Sequence, residues 1–237
     1  MSYTEYSQTH RHVLSGELPP LLERVAKPGV IADLGCGDGP NIWALRLAHK
    51  LGSTTYAVDL SPDRVRQAEK AAAGVQGIVA DATATTLPDA CVDEVIASQV
   101  IEHLLDDRLL AAEIARILKP GGWWYIGSVL RSPHAWWVYK GEDGQRLLDP
   151  THLREYRARD DFAVAIAHPR LVVAEIGEMP LRFPVLDLAM RSLVMVGFLS
   201  PETISQLYVN HPRFIRARVL RVRAPGYTMI DAVGSRK

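Results

Sequence analysis

From Val30 to Ser128 short apolar runs alternate with stretches of helical periodicity, the pattern of a parallel sheet covered by crossover helices. Val30 to Leu34 reads as a buried first strand. Asn41 to Leu51 follows as a helix with Ile42, Leu45 and Ala48 or His49 along one side, and Thr54 to Asp59 as a second strand. Ser61 then caps a helix that has Pro62 at its first position, where a missing N–H costs nothing. Val65, Ala68 and Ala72 form its inner face, and Gly74 ends it. Ile78 to Ala80 and Val92 to Ser98 read as third and fourth strands. Glu102 to Leu118 reads as a helix with Leu110, Ile114, Ile117 and Leu118 buried, stopped by Lys119-Pro120-Gly121-Gly122. Trp123 to Val129 is a fifth strand.

After Val129 the rhythm changes. Residues 130–158 mix Pro133, Gly141, Gly144 and Pro150 with Trp136, Trp137, Tyr139 and Tyr156, too long for an ordinary connection and too aromatic for a solvated linker. A helix is expected over Arg159 to His168, a sixth strand over Leu171 to Ile176, and helices over 187–199 and 201–221, the latter kinked near Pro212. Tyr227 to Val233 closes the sheet after the Pro225-Gly226 turn. The expected fold is α/β: a Rossmann-like, doubly wound, seven-stranded and mostly parallel sheet, with helical insertions over the active-site side. Residues 1–27 read as an N-terminal cap segment and 28–237 as one domain, with insertions at 130–158 and 179–225.

Composition narrows the setting. A chain of 237 residues, 48% hydrophobic, is large enough for a core without disulfide staples, and its two cysteines, Cys36 and Cys91, fit thiols in a reducing cytoplasm. The 27 basic residues balance 27 acidic ones, which argues against a nonspecific nucleic-acid binder. A local basic stretch stands apart: Arg213, Arg216, Arg218, Arg221 and Arg223 lie in 204–227 without an acid. They form either a solvated helix face or a site for an anionic acceptor or membrane surface. The polar start lacks the apolar core of a secretory signal, and the segment from Phe183 to Leu199, which contains Asp187 and Arg191, is too short to span a bilayer. A cytoplasmic protein is expected, with peripheral membrane contact open and oligomeric state unspecified.

The most informative segment is Ile31-Ala-Asp33-Leu-Gly35-Cys-Gly37-Asp-Gly39-Pro. Three glycines at alternate positions after an apolar strand allow positive φ and a close approach of backbone to ligand. A dinucleotide fingerprint needs G-x-G-x-x-G, and Pro40 stands at its third glycine position, which disfavours a dehydrogenase. With Asp33 included, the spacing resembles D-x-G-x-G-x-G, the first motif of the class I S-adenosylmethionine (SAM)-dependent methyltransferases. The resemblance continues through Ala57-Val58-Asp59-Leu60-Ser61, Ala80-Asp81-Ala82, Ser98-Gln99-Val100-Ile101-Glu102-His103-Leu104 and Leu118-Lys119-Pro120-Gly121-Gly122, and is similar to the type 11 small-molecule group.

The resemblance implies a role for each of these residues. Asp33 and the backbone of Gly35, Gly37 and Gly39 would hold the methionine part of SAM, with Gln99 facing it. Asp59 would take both ribose hydroxyls, Leu60 would pack on the adenine face, and Asp81 with the N–H of Ala82 would read the adenine edge. Against these roles stand simpler ones, since an Asp after a strand is often only a cap or turn former. Cys36 reads as a packing residue, because Asp33 and Asp38 beside it raise a thiol pKa.

Methyl transfer is one in-line displacement, so a base is needed only where the acceptor carries a proton. His103 and His152 are the catalytic candidates, each with a structural hydrogen bond as its alternative. His152 lies in Asp149-Pro150-Thr151-His152-Leu153-Arg154-Glu155-Tyr156, which resembles a D-x-x-H-x-R-x-[YF] stretch of type 11 members. His134, Trp137 and Tyr156 are candidate substrate contacts, although these aromatics could equally plug the domain. Tyr3, Tyr6, Arg11 and His12 would lie in a segment that folds over the cofactor. The leading reading is a SAM-dependent O-methyltransferase acting on a small molecule, of the secondary or polysaccharide type. The alternatives are a C-methyltransferase of a quinone or lipid acceptor at a membrane, and a non-catalytic SAM-binding module. No metal site is expected.

Overall fold

A computed structural model describes residues 17–52, 54–136, 139–140, 144, 146–200, 203, 207 and 220–237. Strands β1 (Val30–Leu34), β2 (Thr54–Asp59), β3 (Val75–Val79), β4 (Val92–Ser98), β5 (Leu118–Arg131), β8 (Leu171–Pro184) and β9 (Arg221–Arg236) form one sheet, ordered β3-β2-β1-β4-β5-β9-β8. The first five run parallel, and β9 is antiparallel to both β5 and β8. A short ribbon, β6 (Tyr139–Lys140) with β7 (Arg146–Leu147), lies within the 130–158 insertion. The seven-stranded, mostly parallel doubly wound sheet is thus as the apolar pattern predicts.

The central strands read as continuous apolar runs because both of their faces are covered. Ile31, Ile96 and Tyr125 pack with Leu21 and Leu22 of α1 (Pro20–Val25). Their neighbours Ala32, Val95, Ala97, Trp124 and Ile126 pack instead with Leu110 and Ile114 of α4 (Arg108–Ile117) and with Phe162 of α5 (Arg159–Ala165). Adjacent residues thus enter opposite cores, as the period of two in a strand requires. On the α1 side, α2 (Pro40–Leu47) contributes Leu45. Helix α3 (Pro62–Glu69) has Ser61 as N-cap, whose side chain accepts from the Arg64 N–H, and buries Val65 and Ala68.

Two expectations need correction. The helix predicted over 102–118 is broken: a 3-10 turn at Ile101–His103 precedes α4 at Arg108. The Glu102 carbonyl accepts from the Leu153 and Arg154 N–H groups, at 3.0 and 3.2 Å, so a tertiary contact takes the acceptor that helix continuation would use. The 179–225 insertion is not a purely helical layer either. Strands β8 and β9 extend into it, with Arg182 opposite Arg223 and Pro184 opposite Arg221, before α6 (Val185–Met195). The helix expected at 201–221, with Pro212, and also Tyr3, Tyr6, Arg11, His12, Trp137, Arg213, Arg216 and Arg218, fall outside the described residues. Among the described residues no helix is long and apolar enough to cross a membrane.

Candidate functional site

The glycine loop joins the end of β1 to α2 at the carboxyl edge of the sheet, where ligands of open α/β folds bind. Gly35, Gly37 and Gly39 all have positive φ, at 67°, 52° and 85°. A Cβ on Gly35 would stand 2.3 Å from Val100 Cγ2, and one on Gly39 2.9 Å from the Ala68 Cα of α3. Side chains are therefore excluded by packing as well as by backbone conformation. The Cys36 N–H donates to the Val58 carbonyl at 2.9 Å, tying the loop to β2. Burial, with the charges of Asp33 and Asp59, pushes the Cys36 thiol well up, which suits a packing residue and no nucleophile.

Acids line this edge. Asp33 is fully buried; its Oδ1 accepts from Asn41 Nδ2 at 3.3 Å, while Oδ2 has no hydrogen-bond partner. Burial raises its carboxyl to about 7, opposed by the Asn41 hydrogen bond and aided by the Asp59 charge. The Asp59 carboxylate accepts from the Gly37 N–H at 3.0 Å and the Ser61 N–H at 2.9 Å, so it organises the loop from the end of β2. Leu60 beside it is 52% exposed. Asp81 is exposed and accepts on Oδ1 from both the N–H and the hydroxyl of Thr83, a turn-forming use, and Ala82 next to it is buried. Gln99, at the end of β4, holds φ at 58°, a rare conformation for a residue with a Cβ, and its buried Nε2 has no hydrogen-bond partner.

A second group gathers just past Gln99. His103 Nδ1 lies 3.1 Å from the Thr151 carbonyl, to which it can only donate. His152, 8% exposed, has Nδ1 2.9 Å from Glu155 Oε1, and its ring meets that of His103 edge-on at 4.9 Å. Burial opposes charging the His152 ring, but Glu155, Glu102 and Asp149 outweigh it and raise its pKa. Glu155 also accepts from the Leu148 N–H at 2.7 Å and the Tyr227 hydroxyl at 3.1 Å. Glu102, fully buried, accepts from Ser128 Oγ at 2.9 Å on Oε2 and has no hydrogen-bond partner on Oε1.

The structure therefore brings His103 and His152 together, and brings Asp33, Asp59, Gln99 and the glycines around one loop. Tyr156 is engaged elsewhere. That ring packs edge-on against Phe162 in the core, and its hydroxyl donates to Asp107 at 3.0 Å. His134 is exposed. Glu155 and Tyr227 were missed by sequence reasoning. The three-residue spacing of His152 and Glu155 was a usable signal for the first, whereas Tyr227 arrives from β9 with no local signal.

A sheet of this order, with its last pair antiparallel and a glycine loop after the first strand, defines the class: the fold is that of the class I SAM-dependent methyltransferases. Residues 32–126 match the type 11 family model described as "Methyltransferase domain". The chain is 34% identical over 102 residues to a probable chloroplastic tocopherol O-methyltransferase of Oryza sativa subsp. japonica, covering 40% of this chain and 27% of that one. It is 31% identical over 121 residues to a ubiquinone biosynthesis O-methyltransferase of Pseudomonas putida, covering 48% of this chain and 50% of that one. The chain thus spans between about a quarter and a half of the length of these curated relatives. The fold matches a geranyl diphosphate C-methyltransferase of Streptomyces coelicolor A3(2), solved with S-adenosyl-L-homocysteine, at a TM-score of 0.57 and 17% identity, over 92% of this chain and 77% of that one. The family's cofactor is SAM. The residues present fit it: the orphaned buried carboxylate oxygen of Asp33 suits a positive charge, the orphaned amide N–H of Gln99 suits a carboxylate, and three positive-φ glycines leave their stretch of backbone without Cβ atoms.

Proposed function

We propose that this protein transfers the methyl group of SAM to a hydroxyl oxygen of a small-molecule acceptor. The observation that carries the reading is the imidazole pair. Both rings have Nδ1 engaged, by Thr151 and by Glu155, so Nε2 is the basic nitrogen of each neutral ring. A hydroxyl acceptor has a proton to lose, and such a base contributes about 10²- to 10⁴-fold to rate. The O-methyltransferase names of the tocopherol and ubiquinone relatives support the same choice.

In this reading Asp33, Gly35, Gly37, Gly39 and Gln99 hold the methionine part of the cofactor, and Asp59 accepts from the ribose hydroxyls. A carboxylate accepts up to about four hydrogen bonds, so these can add to the two backbone donors. The exposed Leu60 offers its side chain to the adenine face, with Asp81 and Ala82 at the ring edge. When bound, SAM supplies an electrophilic methyl on a sulfonium. The chain orients it, excludes water, and receives the acceptor proton at Nε2 of His103 or His152. The insertions at 130–158 and 179–225 would choose the acceptor, while Pro20–Val25, expected in a cap segment, packs on the sheet face instead.

Calorimetric titration with SAM tests the site: micromolar-range binding is expected, largely lost in Asp59→Ala, and normal binding by that variant would remove the assignment. Assays with labelled SAM against phenols, amines and carbon acids test the chemistry. Transfer confined to amines would refute the hydroxyl reading, and binding without transfer to any acceptor would favour a cofactor-binding module. One observation favours an apolar acceptor, including C-methylation of a quinone or lipid: Val196 and Phe198, just past α6, and Leu220, just before β9, are 67%, 80% and 68% exposed. Co-sedimentation with anionic liposomes tests it, since an enzyme of water-soluble acceptors stays in the supernatant.

A further inference from the structure

The geometry points to a divalent-cation site made by Glu102, His103 and His152. One ligand atom from each lies within 4.8 Å of the other two. Ligands about 2.1 Å from a shared ion stand roughly 3 to 3.5 Å apart, so the three close on a cation with shifts of an ångström or so. His103 is only partly buried, on its 3-10 turn.

Two further observations point to a ligand. Glu102 is fully buried and carries an oxygen, Oε1, with no hydrogen-bond partner, a costly arrangement unless something positive meets it. The outer contacts are those of metal-bound groups: Thr151 accepts from His103 Nδ1, Glu155 engages His152 Nδ1, and Ser128 donates to the second oxygen of Glu102. Such partners fix the tautomer and orientation of histidine ligands and make Nε2 the nitrogen that a cation takes. Two imidazoles and one carboxylate suit Zn²⁺, Mn²⁺, Fe²⁺ or Co²⁺ better than Mg²⁺ or Ca²⁺, which prefer oxygen shells. Three protein ligands leave a position open for an oxygen of the acceptor.

Glu102 is two residues past Val100, the residue that packs on Gly35, so the cation would sit beside the cofactor loop. With Nε2 of both rings on the cation, the imidazoles would cease to be the bases described above; in the cation-loaded protein the cation would bind the acceptor hydroxyl and lower its pKa, and the proton would leave to solvent. The carbon–oxygen bond then forms as the carbon–sulfur bond breaks, with its electron pair going to sulfur. This role rests on the O-methyl transfer proposed above; the cation site itself does not.

The test uses full-length protein freed of metal with a chelator, titrated with Co²⁺ by visible absorption and with Mn²⁺ by electron paramagnetic resonance. One ion per chain is expected, with affinity lowered at least about tenfold in Glu102→Gln and in His103→Asn. The partly buried His103 carries the test if the Glu102 variant fails to fold. SAM titration of the same proteins is expected to be unchanged. No stoichiometric binding by the wild type, or binding that neither variant weakens, overturns the site. Cation binding without SAM binding would leave the site standing and refute the methyl-transfer reading, and SAM binding without cation binding would do the reverse.

Discussion

Asp33 links the proposed cofactor site to the stability of the fold. A carboxyl raised from its ordinary value near 4 to about 7 corresponds to about 4 kcal/mol between its protonation states, an upper bound on its effect. Below about pH 4 the group is protonated in both the folded and unfolded chains, and stability is full. As pH rises toward 7 the unfolded chain ionises while folded Asp33 keeps its proton, so stability falls; above 7 the loss levels off. Glu94 and Asp231, raised by burial to about 7 and about 6, slope the same way. Asp33→Asn removes only the Asp33 share. Urea unfolding at pH 4.5, 6 and 8 should therefore find the variant within about 1 kcal/mol of wild type at the lowest pH and more stable by up to a few kcal/mol at the highest.

If Asp33 holds the cofactor as proposed, it makes cofactor binding proton-linked. A cationic ligand favours ionised Asp33, so at pH 6 binding should release roughly 0.9 proton if the group titrates near 7. Calorimetry in buffers of different ionisation enthalpy reads this release directly, and Asp33→Asn should both weaken SAM binding and abolish the release. A stability difference independent of pH, together with buffer-independent heats, would refute the assignment of the raised pKa to Asp33.

Gly35→Ala meets Val100 at 2.3 Å in a conformation with φ of 67°. It should cost roughly 2 to 4 kcal/mol from combined backbone strain and overpacking, part of which Val100→Ala restores; a double variant no more stable than the single would show that the clash is not the cause. Tyr156→Phe breaks the bond to Asp107 and should lower stability by about 1 kcal/mol with KM unchanged, whereas a higher KM at unchanged stability would return Tyr156 to the substrate site. Cys36→Ala should keep turnover within a few-fold, as the buried thiol makes no chemistry, and loss of turnover in a folded variant would contradict that.

Strands β1, β2 and β4 were legible to the residue, because runs buried on both faces begin and end where Gly, Ser or Asp meets the sheet edge. The outer strands were not. β8 and β9 reach far beyond Leu171 to Ile176 and Tyr227 to Val233, since their extensions pair with each other at the sheet edge and carry exposed residues that do not read as strand. The glycine loop itself was legible, because its contacts are local in sequence or one strand away: Cys36 bonds to Val58 and Gly37 to Asp59.

The histidine site obeys a different logic. His103 was visible only as a Glu-His pair in an expected helix, yet the helix is absent because the 148–156 stretch takes the Glu102 carbonyl and presents Thr151 and His152 to the same spot. That contact spans about 50 residues, and the Tyr227 hydroxyl on Glu155 spans 72. No periodicity encodes such meetings; only the crossover topology does. The break in the helix and the assembly of the site are therefore one event: the carbonyl that would have continued the helix is what docks the second histidine. Any substitution that lets the helix run on through Leu104 and Leu105 should separate the imidazoles while leaving the cofactor loop intact.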